Sequence, residues 1–183
     1  MSINKPLLLL LLTTCFGMAQ EQGEFIDRQG SIALFSYTSV ENIKAENNQV
    51  ASIVDLSNNQ IAVRMLMRAF VFEKALMEEH FNESYIESDL YPQAIFQGTI
   101  IGLDLSITEP QTRKIQGVFT LRGIEKELDF KATISKEKNR FTISGKLELT
   151  VADFNIKIPP LLAPNIADTI TINFSFEYEP YEN

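Results

Sequence analysis

Apolar and polar residues alternate with a period of two along most of the chain, which predicts β-strands that are buried on one face only. The most regular stretch runs from Phe141 to Val151, where apolar side chains and Gly145 alternate with charged and hydroxyl-bearing ones. Four further stretches show the same pattern: Ile61 to Met67, Ile115 to Leu121, Leu128 to Ile134 and Ile170 to Tyr178. Each predicted strand therefore has one face for a core and one for solvent.

Weaker strands are predicted for Ser31 to Thr38, Gln49 to Leu56 and Ala94 to Leu103, which brings the total to about eight. Short polar turn signals separate the strands, at Asn47-Asn48, Asn58-Asn59, Glu109-Pro110, Arg122-Gly123 and Lys138-Asn139. Such short connections indicate hairpins and hence antiparallel pairing. The pattern predicts an all-β fold, an eight-stranded antiparallel barrel, with a two-sheet sandwich as the alternative.

One segment departs from the alternation. Residues Glu73 to Phe81 are rich in helix formers, and Phe70, Met77 and Phe81 recur near helical spacing, as do Phe72 and Leu76. The segment predicts one short helix that lies between two strands and caps the barrel.

The first residues are typical of a secretory signal. Lys5 precedes the apolar run Leu7 to Leu12, and Gly17-Met18-Ala19 places small residues where signal peptidase cleaves. We predict cleavage after Ala19, so that residues 1–19 are a signal peptide and residues 20–183 form a single domain. The mature protein would then be periplasmic or secreted, with no integral membrane span. A retained anchor, or a lipoprotein modified at Cys15, are the alternatives.

Cysteine content and charge narrow the function classes. Cys15 is the single cysteine and lies in the predicted signal peptide, so disulfides, thiol catalysis and cysteine metal sites are not expected in the mature chain. Removal of Lys5 would move the net charge of −8 at pH 7 to about −9. A protein this acidic is repelled by nucleic acid and by anionic lipid surfaces.

The chain offers little for catalysis. His80 is the single histidine, and neither a G-x-S-x-G nucleophile motif nor the H-E-x-x-H zinc motif is present. Glu79 and Glu83 share a helical face, but such pairs also serve solvation alone. We expect no catalytic residues, no metal site and no cofactor, and we interpret His80 as a solvated or capping residue or as a polar anchor at a barrel mouth.

Two stretches carry a resemblance to a known family. Glu79-His80-Phe81, followed by the run from Ser88 to Phe96 with Tyr91-Pro92, resembles the YceI-like family of exported, lipocalin-like proteins. The run from Gly117 to Lys126 is similar to that family's strand-turn-strand element. Met77-Glu78 stands where many members have Arg-Asp. The resemblance implies an eight-stranded barrel capped by a helix, with an elongated apolar pocket for an isoprenoid chain and without catalytic residues.

An apolar inner face fits a filled core as well as a cavity, and the resemblance favours the cavity. The predicted function is an exported protein that holds an isoprenoid or other lipid in the barrel; the alternative is a solid barrel that acts as an interaction or stress-response protein. Formation of a homo-oligomer is left open. The residues predicted to contact the ligand are Met65, Met67, Phe70, Phe72, Leu76, Met77, His80, Phe81, Phe96, Phe119, Phe130 and Phe176.

Overall fold

The computed structural model describes residues 23–161 and 163–181. The strands are β1 (Glu24–Tyr37), β2 (Asn42–Asp55), β3 (Gln60–Leu66), β4 (Val71–Phe72), β5 (Gln93–Ile101), β6 (Gln111–Leu121), β7 (Ile124–Glu137), β8 (Arg140–Thr150) and β9 (Thr169–Pro180). The helix α1 (Ala75–His80) continues as a π-helical turn, Phe81–Tyr85, and short 3₁₀ turns occur at Met67–Ala69 and Val151–Phe154.

Eight of the strands form a closed antiparallel barrel. Their order is β1-β9-β8-β7-β6-β5-β3-β2, and β1 also pairs with β2, which closes the sheet on itself. The two-residue strand β4 adds to β2 opposite Ala45 and Glu46. The predicted eight-stranded barrel with one short helix is confirmed, and the sandwich alternative is wrong, because a sandwich would leave β1 and β2 as separate edges.

The chain connections divide the barrel into two ends. One end, which we call the lid end, contains the β1–β2 turn (38–41), the segment 67–92 with α1, the β6–β7 turn (122–123) and the β8–β9 connection (151–168). The opposite end, which we call the floor end, contains the connections 56–59, 102–110 and 138–139. Arg122 and Gly123 both have positive φ, 52° and 71°, as a tight two-residue hairpin turn requires.

The turn predicted at Asn47-Asn48 is wrong, because these residues lie inside β2. Asn47 is buried; its side-chain amide donates to the carbonyl oxygen of Leu66 (2.9 Å), and its side-chain oxygen accepts from the amide of Gln49 (2.8 Å). The register of β1 against β2 shifts at this point. The two asparagines therefore mark a β-bulge, whose local hydrogen bonding resembles that of a turn.

The ladder between β7 and β8 covers only part of the two strands. It runs from the pair Glu137–Arg140 at the floor end to the pair Ala132–Gly145. Within the described chain, the rest of β7, residues 124–131, pairs with β6 alone, and residues 146–150 of β8 pair with β9 alone. The two strands therefore separate toward the lid end.

Candidate functional site

A cavity of about 460 Å³ occupies the barrel interior. Every barrel strand contributes inward-facing side chains to its wall, together with the lid segment 67–92 and the β8–β9 connection. Nearly all of them are aliphatic or aromatic, for example Val63, Ile115, Leu149 and Ile172. The barrel is therefore hollow, and its interior can accept an apolar group of considerable size.

Aromatic rings form the floor of the cavity. Phe130 lies between Phe96 and Phe174, with ring centroids 5.6 Å from each, and Phe174 stacks on Phe176 at 5.7 Å. Phe96, Phe174 and Phe176 are buried. Edge-to-face and offset contacts of this kind stabilise a ring cluster beyond the simple burial of area. The floor thereby limits how deep a ligand can reach.

Glycines in the barrel wall make room for these rings. A Cβ atom at Gly30 would lie 2.3 Å from the Phe176 ring, and one at Gly145 would lie 2.7 Å from the Phe174 ring. Both distances are well below van der Waals contact. The alternation that places Gly145 among inward-facing residues therefore has a packing reason, since any larger side chain would displace the floor.

Beneath the floor, Tyr178 completes the closed end of the barrel. Its side chain is 0% exposed, stacks on Phe141 with centroids 4.8 Å apart, and shares a 2.5 Å hydrogen bond with the Ser52 hydroxyl. Because Ser52 donates its hydroxyl hydrogen to the carbonyl oxygen of Ala62, the Tyr178 hydroxyl is the donor. Burial raises the pKa of Tyr178 far above its usual range, and the nearby Asp27 carboxylate adds to the shift.

The lid lies over the opposite end. Phe81 packs against Phe70 and Phe72, with centroid distances of 5.5 and 5.0 Å, and Phe70 is buried. Every residue of α1 keeps at least partial exposure, and Leu76 is 61% exposed although it borders the cavity. The helix is thus attached to the barrel through few buried groups, and Met77 faces the cavity from its half-buried side.

Polar side chains of the cavity wall collect at the lid end. Lys74, just before α1, forms an ion pair with Glu41 of the β1–β2 turn. The side-chain amide of Asn165 also donates to Glu41, at 3.4 Å. The hydrogen bond from Lys74 lowers the pKa of Glu41 below its usual value, so the carboxylate stays ionised. These three residues, with Ser36 and His80, form what we call the polar rim.

Inward-facing residues near the separated strands are less covered than the alternation alone would suggest. Leu128 and Phe130 of β7, and Leu147 and Leu149 of β8, all line the cavity and are only partly buried. Ile156 and Ile158 of the β8–β9 connection lie along the same wall. The incomplete burial comes from the empty space these side chains face, which makes them candidates to contact a ligand.

All the residues predicted from the sequence to contact a ligand lie on the wall of this one cavity: Met65, Met67, Phe70, Phe72, Leu76, Met77, His80, Phe81, Phe96, Phe119, Phe130 and Phe176. That they touch a ligand stays a prediction. Sequence reasoning missed Glu41, Lys74 and Asn165, because no local pattern marks residues so distant in the chain as neighbours. Leu128, Leu147 and Phe174 were recognisable from the alternation as inward-facing.

Neither a metal centre nor a membrane-spanning helix emerges from the described residues. Within 23–161 and 163–181, no three histidine, cysteine, aspartate or glutamate side chains group as metal ligands would. In the same ranges, no helix is long and apolar enough to cross a bilayer. The predicted signal peptide lies outside the described residues.

Solved structures with the same fold come from several bacteria. A polyisoprenoid binding domain from Saccharophagus degradans, implicated in plant cell wall breakdown, superposes with a TM-score of 0.74 at 12% identity, covering 88% of this chain and 100% of that one. Burkholderia cenocepacia BcnA gives a TM-score of 0.68 at 15% identity, covering 81% of this chain and 95% of that one. The Campylobacter jejuni YceI protein gives 0.64 at 15% identity, with 80% and 90% covered.

Sequence comparisons complete the assignment. No curated protein matches the chain by sequence. The model of the YceI-like domain matches residues 19–178, which include every strand of the barrel except the last two residues of β9. The chain therefore belongs to the YceI-like family.

Proposed function

We propose that this protein is an exported carrier or buffer that holds one apolar, chain-like molecule, an isoprenoid or another lipid, inside its barrel. The observation that carries the proposal is the cavity of about 460 Å³ with its aliphatic and aromatic wall. The Saccharophagus degradans domain of the same fold is a polyisoprenoid binding domain, which supports the same class of ligand. Binding without catalysis accounts for the composition of the wall.

The burial of apolar surface is sufficient to hold a chain-like ligand in the cavity. A flexible chain that buries about 400 Å² of apolar surface gains roughly 10 kcal/mol at 25 cal/mol per Å². Ordering the chain and losing its free motion oppose this by a few kcal/mol, which leaves a Kd in the micromolar range. The cavity therefore needs no covalent or metal bond to retain its ligand.

Export is part of the proposal. The positive Lys5 and the apolar run Leu7 to Leu12, followed by the predicted cleavage site after Ala19, support it. We expect the intact mass of the protein from its native envelope to correspond to a start at Gln20, with or without cyclisation of the glutamine. A mass that carries a diacylglyceryl group on Cys15 would show instead that the protein is a lipoprotein.

Ligand extraction tests the binding proposal directly. Protein purified from its native envelope without detergent should release a lipid into organic solvent, and mass spectrometry should find it near one molecule per chain. Denatured protein carried through the same purification supplies the background. If the native protein releases no more lipid than this control, and takes up no prenol in titrations, the carrier proposal is wrong.

A substitution in the lid adds a structural test. Met77→Asp places a carboxylate on the cavity side of α1 and should weaken binding by about tenfold or more, because the ligand must then contact or desolvate a charge. Glu79→Gln is the matched control, since Glu79 lies on the same helix, is exposed and does not border the cavity. Both variants should keep the strand signal in circular dichroism.

A further inference from the structure

The polar rim orients any ligand with a polar head. Ser36, Glu41, Lys74, His80 and Asn165 all lie at the lid end, whereas the floor end of the cavity is formed by phenylalanine rings. A polar head placed among those rings would lose its hydrogen bonds to water without replacement, at a cost of several kcal/mol. A polar head would therefore lie at the polar rim, with the apolar chain pointing to the floor.

The charges of the rim are already balanced. Within residues 23–161 and 163–181, the basic and acidic side chains of the cavity wall are one lysine, one histidine and one glutamate. Lys74 is bound to Glu41, and Glu41 is held further by Asn165. The Glu41 side chain is 22% exposed and that of Lys74 is 63% exposed, so the carboxylate is the more sheltered partner of the pair.

This arrangement disfavours an anionic head. A phosphate or diphosphate would bring two or more negative charges beside an ionised carboxylate, while the single lysine at hand is already paired. Proteins that bind phosphate groups usually direct several arginine, lysine or backbone N–H donors at them. A hydroxyl or carbonyl head carries no charge, and it can exchange hydrogen bonds with Ser36, Asn165 or His80 without breaking the ion pair.

The floor limits the length of the enclosed chain. Longer chains would have to extend past the lid or displace Phe174 and Phe176, whose rings rest against wall glycines.

We propose that the Glu41–Lys74 ion pair selects the head group of the ligand: it admits an uncharged hydrogen-bonding head, a hydroxyl or a carbonyl, and excludes phosphorylated lipids. This inference rests on the proposed function.

Two probes with the same chain and different heads test the proposal: farnesol and farnesyl diphosphate, each titrated calorimetrically into the purified protein. We expect farnesol to bind at least about tenfold more tightly, a difference of 1.4 kcal/mol. Equal or tighter binding of the diphosphate overturns the inference and leaves the carrier proposal standing. Failure of both probes to bind overturns the inference and the carrier proposal together.

Variants of the ion pair should shift the affinity for farnesyl diphosphate in opposite directions. Glu41→Gln removes the repelling carboxylate and frees Lys74, so the affinity for farnesyl diphosphate should rise about tenfold. The preference for farnesol over the diphosphate should become correspondingly smaller. Lys74→Met leaves Glu41 uncompensated, so diphosphate affinity should fall further. Glu79→Gln removes the same charge from an exposed site outside the cavity and should leave the ratio of the two affinities unchanged. If all three variants change the ratio of the two affinities in the same way, the role assigned to Glu41 is wrong.

Discussion

The two ends of the barrel are built differently. At the floor end, β7 and β8 are hydrogen bonded, and Phe141, Phe176 and Tyr178 are no more than 2% exposed. At the lid end the same two strands separate, and every residue of α1 keeps some exposure. One end thus resembles an ordinary protein core, while the other is assembled from connections around an empty space.

This difference separates stability from ligand binding along the barrel axis. Buried side chains and a continuous hydrogen-bond ladder give the floor end the larger share of the free energy of unfolding. The lid end has few buried contacts and can open locally at low cost, as a ligand entrance requires. Substitutions at the floor should therefore change stability more than affinity, and substitutions at the lid should do the reverse.

The largest expected effect is a charge in the floor. Phe174→Asp removes a ring that is 8% exposed and contacts Phe130 and Phe176, and it should lower the free energy of unfolding by about 4 kcal/mol or more. Urea denaturation followed by circular dichroism measures the change. Met77→Asp at the lid should cost less than about 1 kcal/mol in the same measurement, because its site is already partly exposed.

The neighbouring position supplies the control for this comparison. Asn173 precedes Phe174 in β9, and its exposed side chain points to the outer face. Asn173→Asp should change the unfolding free energy by less than about 0.5 kcal/mol. Similar losses for Phe174→Asp and Asn173→Asp would contradict the assigned inside and outside faces, and similar losses for Phe174→Asp and Met77→Asp would contradict the contrast between the two ends.

The strands of the barrel were predictable because one face of each strand is buried, and one-sided burial produces an alternation of apolar and polar residues in the sequence. The cavity was predictable only in part. Inward-facing residues such as Leu147 have the same pattern whether they fill a core or border a void, since the pattern records direction and not packing density. The structure shows the void through the partial burial of Leu128, Phe130 and Leu149.

The polar rim lay beyond sequence reasoning for a different reason. Glu41, Lys74 and Asn165 come together because three separate connections meet at the lid end, and connections have no periodicity. Asn47-Asn48 shows the converse, since its turn-like composition reflects a bulge within β2. Local composition reports local hydrogen bonding, which turns and bulges share.

The next prediction concerns the buried phenol at the floor end. Tyr178→Phe removes the hydrogen bond to Ser52 and should lower the unfolding free energy by about 1 kcal/mol at pH 8. Because the pKa of Tyr178 is raised from its ordinary 10.0, the folded protein keeps this proton when the unfolded chain loses it. Wild-type stability should therefore fall above pH 10, by about 1.4 kcal/mol per pH unit from this group.

The variant makes that fall measurable. Phenylalanine does not titrate, so the advantage of the wild type over Tyr178→Phe should be constant below pH 9 and should disappear near pH 11. Urea denaturation at a series of pH values gives both curves, and titration of all other groups cancels in their difference. An advantage that persists unchanged to pH 11 would show that the phenol can ionise in the folded state.

The smallest effect tests the contrast within a single strand. In β7, alternate backbone amides point toward β6 and toward β8. Between Ala132 and Ile134 both sets have strand partners, whereas in residues 124–131 the set that points toward β8 is left to water or to the cavity. Hydrogen exchange followed by nuclear magnetic resonance should therefore find uniform protection in the first stretch and alternating protection in the second. Global stability is the same for every amide of the strand, so alternation can come only from the missing ladder. Uniform slow exchange along residues 124–134 would mean that β7 and β8 are joined over this whole stretch in solution, and the lid end would then differ from the floor end by its lid alone.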